Sequence, residues 1–564
     1  MVMLILGIWD GHDAGAAIVE GNEIKVAVNE ERLSRRKLDV GFPFRSIKAC
    51  LDYLGLKPTD IEHVGITTTD PAKTLTRIFP SLKEKYYLIR RRKIYPRFGE
   101  MQKLWKYRLT QFKPNLFSQK ISEWLIKKSL KKMGFENVKV HIVDHHMAHA
   151  ATAAFCSGFE RACVVTLDGV GDGLSGSINV FESGELKRIK PIPAKDSLGI
   201  FFEHVTNLLG MRELEDEGKV MALADFAYPV PDEKNPLLRF FEIDGTNIKA
   251  KYSWTKMYKE LKKVLWFTPR EQFAWMAQRT LEFFVTKLFT NVVREIGINN
   301  VAWSGGIAAN IKANMKIRKL PEVKDWFVFP HMGDGGLALG AAMVVNYELN
   351  GISKYRFNDV YFGLEYSDSF IEEELKKFEM KYEFEKEIEK RAADLISDGN
   401  IIFLFQGRME YGPRALGNRS ILALPNSLEV KDTLNIRVKK RAWFQPFCPS
   451  MIEEDAKEML EDYDKPSKFM TMGYMVKENM REKLKGVINI DGSARPQVVT
   501  DENVKYRRLI ECVKKRIGIG AVLNTSFNIH GEPIVCSPRD AIETMLKTKN
   551  KFMVLGNYLV ELGE

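Results

Sequence analysis

No apolar run in the chain approaches the ~20 residues that a membrane-crossing helix needs, so no transmembrane span is expected. The six cysteines (Cys50, Cys156, Cys163, Cys448, Cys512 and Cys536) are scattered without a CxxC pair. That spacing argues against a cysteine zinc site and against a disulfide frame. The opening MVMLILGIWDG has neither a cationic leader nor a small-residue cleavage site, and it reads as the first strand of a cytoplasmic protein. Acidic residues are scarce in one stretch. Between Ser81 and Lys132 there are sixteen Lys or Arg and three acids, Glu84, Glu100 and Glu123. This local +13, in a chain of net +11, leaves the rest near −2. Aromatics interleave with the charge, as in YYLIRRRKIYPRF. Three readings stay open: a solvated helical face or lid, a nucleic-acid or anionic-surface site, or a contact for an anionic acceptor.

What is present is a long chain, 564 residues with 45% hydrophobic content, enough for three or four units of ordinary size, with room for two of them to be fused. A strand, a glycine- and aspartate-rich turn and a hairpin occur twice, first through DGHDAGAAIVEGNEIKVAVNEER and again through ACVVTLDGVGDG and GSINVFESGELKRI. Such an internal duplication predicts a two-lobed nucleotide-binding fold. Residues 270 to 297 place apolar side chains at helical intervals and predict a long core helix. The pattern breaks near residues 350 to 365. We therefore expect an α/β chain with one domain over 1–350, interrupted by the basic insertion at about 81–132, and a second over 360–564.

Several strings carry chemistry. HIVDHHMAHAATAAFC sets His145 and His149 four apart in a helix-forming run, which puts both imidazoles on one face, where they can share a metal. Asp10, His12 and Asp13 lie in a turn with Gly7, Gly11 and Gly15, where bare backbone can approach a ligand and offer N–H groups to phosphate. Three more such turns follow: Asp168 to Gly173, Ser304 to Asn310, and Gly333 to Gly336. Downstream, GRMEYGPRALGNRS brings Arg408, Arg414 and Arg419; KKRAWFQPFCPS brings Lys439, Lys440 and Arg441; DGSARPQ brings Arg495; and LNTSFNIHGEP brings Asn524, Ser526 and Asn528. Basic and amide clusters beside glycine and proline suit phosphates and a planar acyl group, because guanidinium forks bind both bidentately.

The paired phosphate loops and the SGG helix resemble the ATPase fold shared by actin, Hsp70 and sugar kinases. The HxxxH pair with a later GDGG aspartate narrows this to the metal-bearing branch that includes the tRNA threonylcarbamoyl transferases. The four C-terminal strings, in their order, resemble the O-carbamoyltransferases of nodulation, cephamycin and tobramycin pathways, over nearly the whole chain apart from the basic insertion. The resemblance implies a metal-bearing, actin/Hsp70-like N-terminal domain and a YrdC-like α/β C-terminal domain. It implies that the second makes carbamoyl-adenylate from carbamoyl phosphate and ATP, and that the first passes the carbamoyl group to a hydroxyl acceptor.

Carried over by residue, it assigns a divalent metal to His145, His149, Asp168 and Asp334. Asp172 on the same turn is the alternative to Asp168. Iron is the implied metal, and the donor set equally suits Mn(II), Co(II) or Zn(II). Gly171, Ser304, Gly305, Gly306 and Asn310 are the implied N-domain nucleotide contacts. Arg414, Lys439, Arg495, Asn524 and Ser526 are the implied contacts for carbamoyl phosphate and the adenylate. His12 beside Asp10 is the candidate general base, and Asp216 a candidate acceptor contact. One departure is Gln445, where family members commonly carry Arg; Lys440 or Arg441 would have to compensate. Alternatives are a threonylcarbamoyl-tRNA or hydrogenase-maturation enzyme, or a non-catalytic nucleotide-dependent binding module. A nucleic-acid partner is not expected, and a homodimer is compatible with the reading.

Overall fold

The computed structural model describes residues 3–96 and 105–563, so Arg97, Glu100 and Lys103 of the basic segment lie outside the described residues. Strand β1 (Leu4–Trp9) has the sequence LILGIW and is buried along nearly its whole length, as expected of a strand covered on both faces. It is the middle of a five-stranded sheet ordered β3-β2-β1-β4-β5, with β2 at Gly15–Glu20, β3 at Glu23–Asn29, β4 at His63–Thr67 and β5 at Lys139–Val143. The hairpin strands pair antiparallel and β1, β4 and β5 pair parallel. A second sheet repeats this plan in the order β8-β7-β6-β9-β10 and in the same senses. Its strands are β6 (Arg161–Gly171), β7 (Leu174–Glu182), β8 (Glu185–Pro193), β9 (Asn300–Ser304) and β10 (Asp325–Val328). The repeated sequence motif is thus a repeated sheet topology.

Helix α1 (Phe44–Leu54) covers β2 and β3. The run containing the basic segment forms α2 (Pro71–Ile78), α3 (Pro80–Arg90) and α4 (Leu116–Lys131). Then come α5 (His145–Phe155), α6 (Leu198–Leu208), α7 (Arg270–Ile296) and α8 (Leu337–Asn350). Helix α5 leaves the first sheet and packs on β6 and β9, whereas α8 leaves the second sheet and packs on β1 and β4. The two helices therefore join the sheets. Gly7 serves this packing: a Cβ there would lie 1.8 Å from the Ala338 carbonyl oxygen. A Cβ at Gly11 would strike the Trp9 ring. Gly7 and Gly11 are thus required by internal packing as well as by any close approach of a ligand.

The chain divides into two compact units, the first Met1–Glu30 and Leu38–Phe357, the second Glu31–Lys37 and Asn358–Glu564. The second unit is built on an eight-stranded mixed sheet ordered β11-β18-β17-β12-β13-β16-β14-β15. These strands are β11 (Tyr382–Phe384), β12 (Ile402–Phe405), β13 (Arg419–Ala423), β14 (Cys448–Ile452), β15 (Gln497–Val499), β16 (Ala521–Ser526), β17 (Phe552–Leu555) and β18 (Tyr558–Glu561). Helices α9 (Ile388–Ser397) and α10 (Val504–Ile517) pack against each other and bury an aliphatic core on the sheet. Residues 31–37 belong to this unit through Arg32, which donates to the Gly412 carbonyl at 2.6 Å, and Arg35, which donates to the carbonyls of Pro533 and Ile534. The division read from the sequence contains no such excursion.

Candidate functional site

In the first unit, His145 and His149 stand one turn apart on α5, whose N-cap Asp144 accepts from the Met147 amide. Asp168 comes from β6, and Asp334 from the GDGG turn that opens α8. One ligand atom from each of these four residues lies within 4.8 Å of the others. The His145 Nε2 is 3.5 Å from Asp168 Oδ2 and 3.7 Å from Asp334 Oδ1; the His149 Nε2 is 3.7 Å from the same Asp334 oxygen. Both Nε2 atoms are buried and lack a hydrogen-bond partner. Their other ring nitrogens are directed outward: His145 Nδ1 meets Thr68 Oγ1 at 2.8 Å, and His149 Nδ1 meets Ser304 Oγ at 3.5 Å. Unsatisfied inner nitrogens, tethered outer nitrogens and two buried carboxylates fit a divalent cation.

The surroundings shape this cluster. Gly171 makes room for the His145 ring, since a Cβ there would lie 2.2 Å from its Cγ. The Gly306 amide donates to Asp168 Oδ1 at 2.8 Å. Gly305, at φ +100°, lies over the Leu167 carbonyl. Ser304 Oγ donates to the Met332 carbonyl, and Asn310 caps a short helix through the Ala313 amide. Asp172 accepts from the backbone N–H groups of Thr69, Asp70 and His145. It is therefore engaged with backbone, and Asp168 is the carboxylate in the cluster. Burial, with Asp70 and Asp144 nearby, pushes Asp172 up to about 6. Burial opposes ionisation of Asp168 as well, but His145 and His149 hold it far below the usual carboxylate range. Against the pull of burial, Asp168 and Asp334 lift His145 to about 9.

His12 lies beside this cluster, its Nδ1 3.6 Å from Asp334 Oδ2 and its ring 5.1 Å from that of Tyr87. Burial lowers it to about 4, only partly countered by Asp334. Asp10 does not face His12. It pairs with Arg77 at 2.8 and 2.9 Å, with Lys73 at 2.9 Å and with Lys83 at 3.8 Å. Its place is an anchor for the basic helices, a correction to its pairing with the general base. Asp216 is likewise occupied, with Lys219 at 2.8 Å and the Arg212 amide at 3.0 Å.

The basic segment is only partly a solvated face, because its inner cations are buried. Arg90 pairs with Glu203 of α6 and donates to Glu213 at 2.8 Å, while the Tyr107 hydroxyl reaches the same two carboxylates. Lys106 Nζ lies 3.7 Å from the Tyr86 ring centre and 3.5 Å from the Tyr87 hydroxyl. Tyr87, Arg90, Lys106 and Glu203 were not singled out in the sequence. Their signal was the local charge excess, which does not say which cations turn inward.

The second unit gathers charge of the opposite sign. Glu410 Oε1 accepts from the amides of Leu416, Asn418 and Arg419 and so closes the GPRALGNRS loop. Arg419 is wholly buried, donating to the carbonyls of Gln406 and Gly407 and stacking 3.6 Å over Phe405. It is structural. Arg408 donates to the carbonyls of Phe362 and Gly363. Among the described residues Arg414 has no such carbonyl partners: its Nε is buried without a hydrogen bond, and burial followed by Arg495 lowers it to about 9. Arg495 lies on Cys448, both nitrogens within 3.1 Å of Sγ. Arg441 bonds Asn435 at 2.7 Å and is lowered to about 10, chiefly by burial.

Lys439 donates to the carbonyls of Ser526 and Asn528 and to both their side chains. Burial, with Arg441 and Lys37 nearby, lowers it well below the ordinary lysine value. Lys37 reaches this pocket on the 31–37 excursion and was missed in the sequence. The Asn524 amide donates to the Ala415 carbonyl, Ser450 and Gln497, and its Oδ1 is left without a partner. The side-chain oxygen of Gln445 is also buried and unpartnered. Among the described residues, no carboxylate pairs with Arg414, Arg441 or Arg495. Guanidiniums held together without counter-charge suit an anion.

Comparison with known proteins agrees with this two-part layout. The family models for the carbamoyltransferase N-terminus and C-terminus match residues 4–343 and 393–562. The chain is 34% identical to the protein MJ1051 of Methanocaldococcus jannaschii over 99% of both chains. It is 34% identical to the nodulation protein NolNO of Sinorhizobium fredii, over 98% of this chain and 79% of that one. It is 28% identical to the 3'-hydroxymethylcephem-O-carbamoyltransferase of Streptomyces clavuligerus, over 69% of this chain and 74% of the other. With both family models matched across most of its length, the chain belongs to the carbamoyltransferase family and is an enzyme of that class.

Proposed function

We propose that this enzyme is an ATP-dependent O-carbamoyltransferase with a separate site for each half of the reaction. The observation that carries the reading is the opposite chemistry of the two units: a cation-binding cluster of two imidazoles and two carboxylates in the first, and three guanidiniums without counter-charge in the second. Carbamoyl phosphate is a weak electrophile toward a neutral hydroxyl. In the second unit water hydrolyses carbamoyl phosphate to carbamate and inorganic phosphate, and a carbamate oxygen then bonds to the α-phosphorus of ATP as the bond to the β-phosphate breaks and pyrophosphate leaves. Arg414, Arg441 and Arg495 hold the phosphates, Lys439 fixes the loop bearing Ser526 and Asn528, and the free Asn524 Oδ1 offers an acceptor to the carbamoyl NH2 group. The second unit is read as YrdC-like and the first as actin/Hsp70-like.

In the first unit His145, His149, Asp168 and Asp334 would hold a divalent metal, iron by resemblance, which would supply Lewis acidity toward the carbamoyl oxygen. Its low pKa keeps the His12 imidazole neutral, ready to take the proton of the acceptor hydroxyl as that oxygen bonds to the carbamoyl carbon and AMP departs. Ser304, Gly305, Gly306 and Asn310 shape the neighbouring turn, where the nucleotide is held. Buried Lys106 near His12 supports an acceptor with an anionic group close to its hydroxyl. ATP and carbamoyl phosphate as substrates support a cytoplasmic site of action. The test is carbamoyl-phosphate-dependent exchange of labelled pyrophosphate into ATP in the absence of any acceptor. Absence of exchange with every carbamoyl donor overturns the reading.

A further inference from the structure

Helix α4 is turned inside out over its first half. Ser118 and Ser122 face inward, bonded to Thr74 of α2, while Leu116, Phe117 and Trp124 stand 77%, 76% and 60% exposed. A helix folding only onto its own protein buries the opposite set. Helix α2, which packs on α4, continues the apolar surface with Leu75 and Ile78, and Phe79 follows at its C-terminus, each 39–51% exposed. Phe112, 60% exposed, lies on the approach to α4. Exposed lysines surround these side chains: Lys113, Lys120, Lys127 and Lys128. Lone surface apolar residues are ordinary, but seven on two packed helices and their flanks call for a cover.

We propose that this face of α2 and α4 is a docking surface for an anionic lipid membrane, holding the enzyme peripherally at the bilayer interface. Charge complementarity selects the occupant. The surface lies within or beside the segment that carries +13 in a chain whose remainder is near −2, so a second copy would bring like charges together. Nucleic acid satisfies the lysines, yet Leu75, Ile78 and Leu116 have no ring to stack on a base and are not phosphate ligands. Tryptophan, phenylalanine and leucine inserted between lysines match the boundary of acyl chains and anionic headgroups. No helix among the described residues is long and apolar enough to cross a membrane, so attachment is lateral. It gives the enzyme access to an acceptor presented at a membrane.

The test is sedimentation of the full-length protein with vesicles of phosphatidylcholine alone and of phosphatidylcholine with phosphatidylglycerol. Binding to the phosphatidylglycerol vesicles, weakened by salt and accompanied by a blue shift of tryptophan emission, is expected. The double substitution F117S/W124S should lower partition by about tenfold or more, with an unchanged unfolding midpoint because both side chains are exposed. Lys120→Glu with Lys128→Glu should weaken binding at low salt in the same way. Failure to bind phosphatidylglycerol vesicles overturns the proposal, as does binding that F117S/W124S leaves intact. A self-associated species that F117S/W124S dissociates, or nucleic-acid binding that it abolishes, also overturns it by assigning the face to another occupant.

Discussion

The two sites are electrostatic opposites, and each is built by withholding a partner. Around His145, His149, Asp168 and Asp334 the structure collects imidazoles and carboxylates and leaves both Nε2 atoms without a hydrogen-bond partner. Around Arg414, Arg441 and Arg495 it collects cations, with no paired carboxylate among the described residues. Where a charge is only structural, the partner is present: Asp10 has three cations, and Arg419 has carbonyls and an aromatic face. Whether a buried charge is answered thus says more about its place than residue type does.

The strongest way to break this comparison is a crossed loss of function. Arg414→Ala should cut ATP–pyrophosphate exchange by about a thousandfold, the scale of losing a main electrostatic contact, and should stop carbamoyl transfer with it. His149→Ala should stop transfer while exchange persists. Equal loss of exchange in both variants would end the division of labour. Stripping bound metal with a chelator and resupplying only Mg2+ for ATP should reproduce the His149→Ala pattern, checked by metal analysis of the same sample.

Next in size is the scaffold. Asp10→Asn leaves Lys73, Arg77 and Lys83 buried together without their carboxylate, and should cost about 3–5 kcal/mol in urea unfolding. A loss of only transfer, at full stability, would instead return Asp10 to the chemistry. Thr68→Val removes the partner of His145 Nδ1 and should weaken metal affinity by about 10–100-fold, read by competition with a metal indicator. The smallest expected effect sharpens the second site. Gln445→Arg should lower the KM for carbamoyl phosphate severalfold, on the order of one added charged hydrogen bond. No change would mean that Arg441 and Lys37 already supply that charge.

Part of this was legible in order along the chain. His145 and His149 share a helix face because four residues make about one turn. The two hairpins repeat because their alternation and turn residues repeat, and the long helix at 270–296 follows from its apolar spacing. Other assignments depended on direction. Asp168 and Asp172 are four residues apart with the same side chain, and only the backbone path of β6 sends one to the imidazoles and the other to the amides of Thr69, Asp70 and His145. Asp10 and His12 are near neighbours in sequence, yet the turn points them at different partners.

The sequence alone determined the α/β repeat, the family, the histidine pair and the inventory of basic clusters, because these depend on local period, composition and specific strings. Tertiary structure decided which charges are answered. Arg414 and Arg419, five residues apart in GPRALGNRS, lie in opposite surroundings, since the Arg419 guanidinium finds carbonyls and that of Arg414 finds Arg495. Lys37 and Lys439 approach each other across about 400 residues of chain. The +13 segment splits into cations buried against Asp10, Glu203 and Glu213 and lysines left outside beside Leu116, Phe117 and Trp124. Burial and charge pairing depend on every element packed around a residue, and neighbours along the chain are only a few of them.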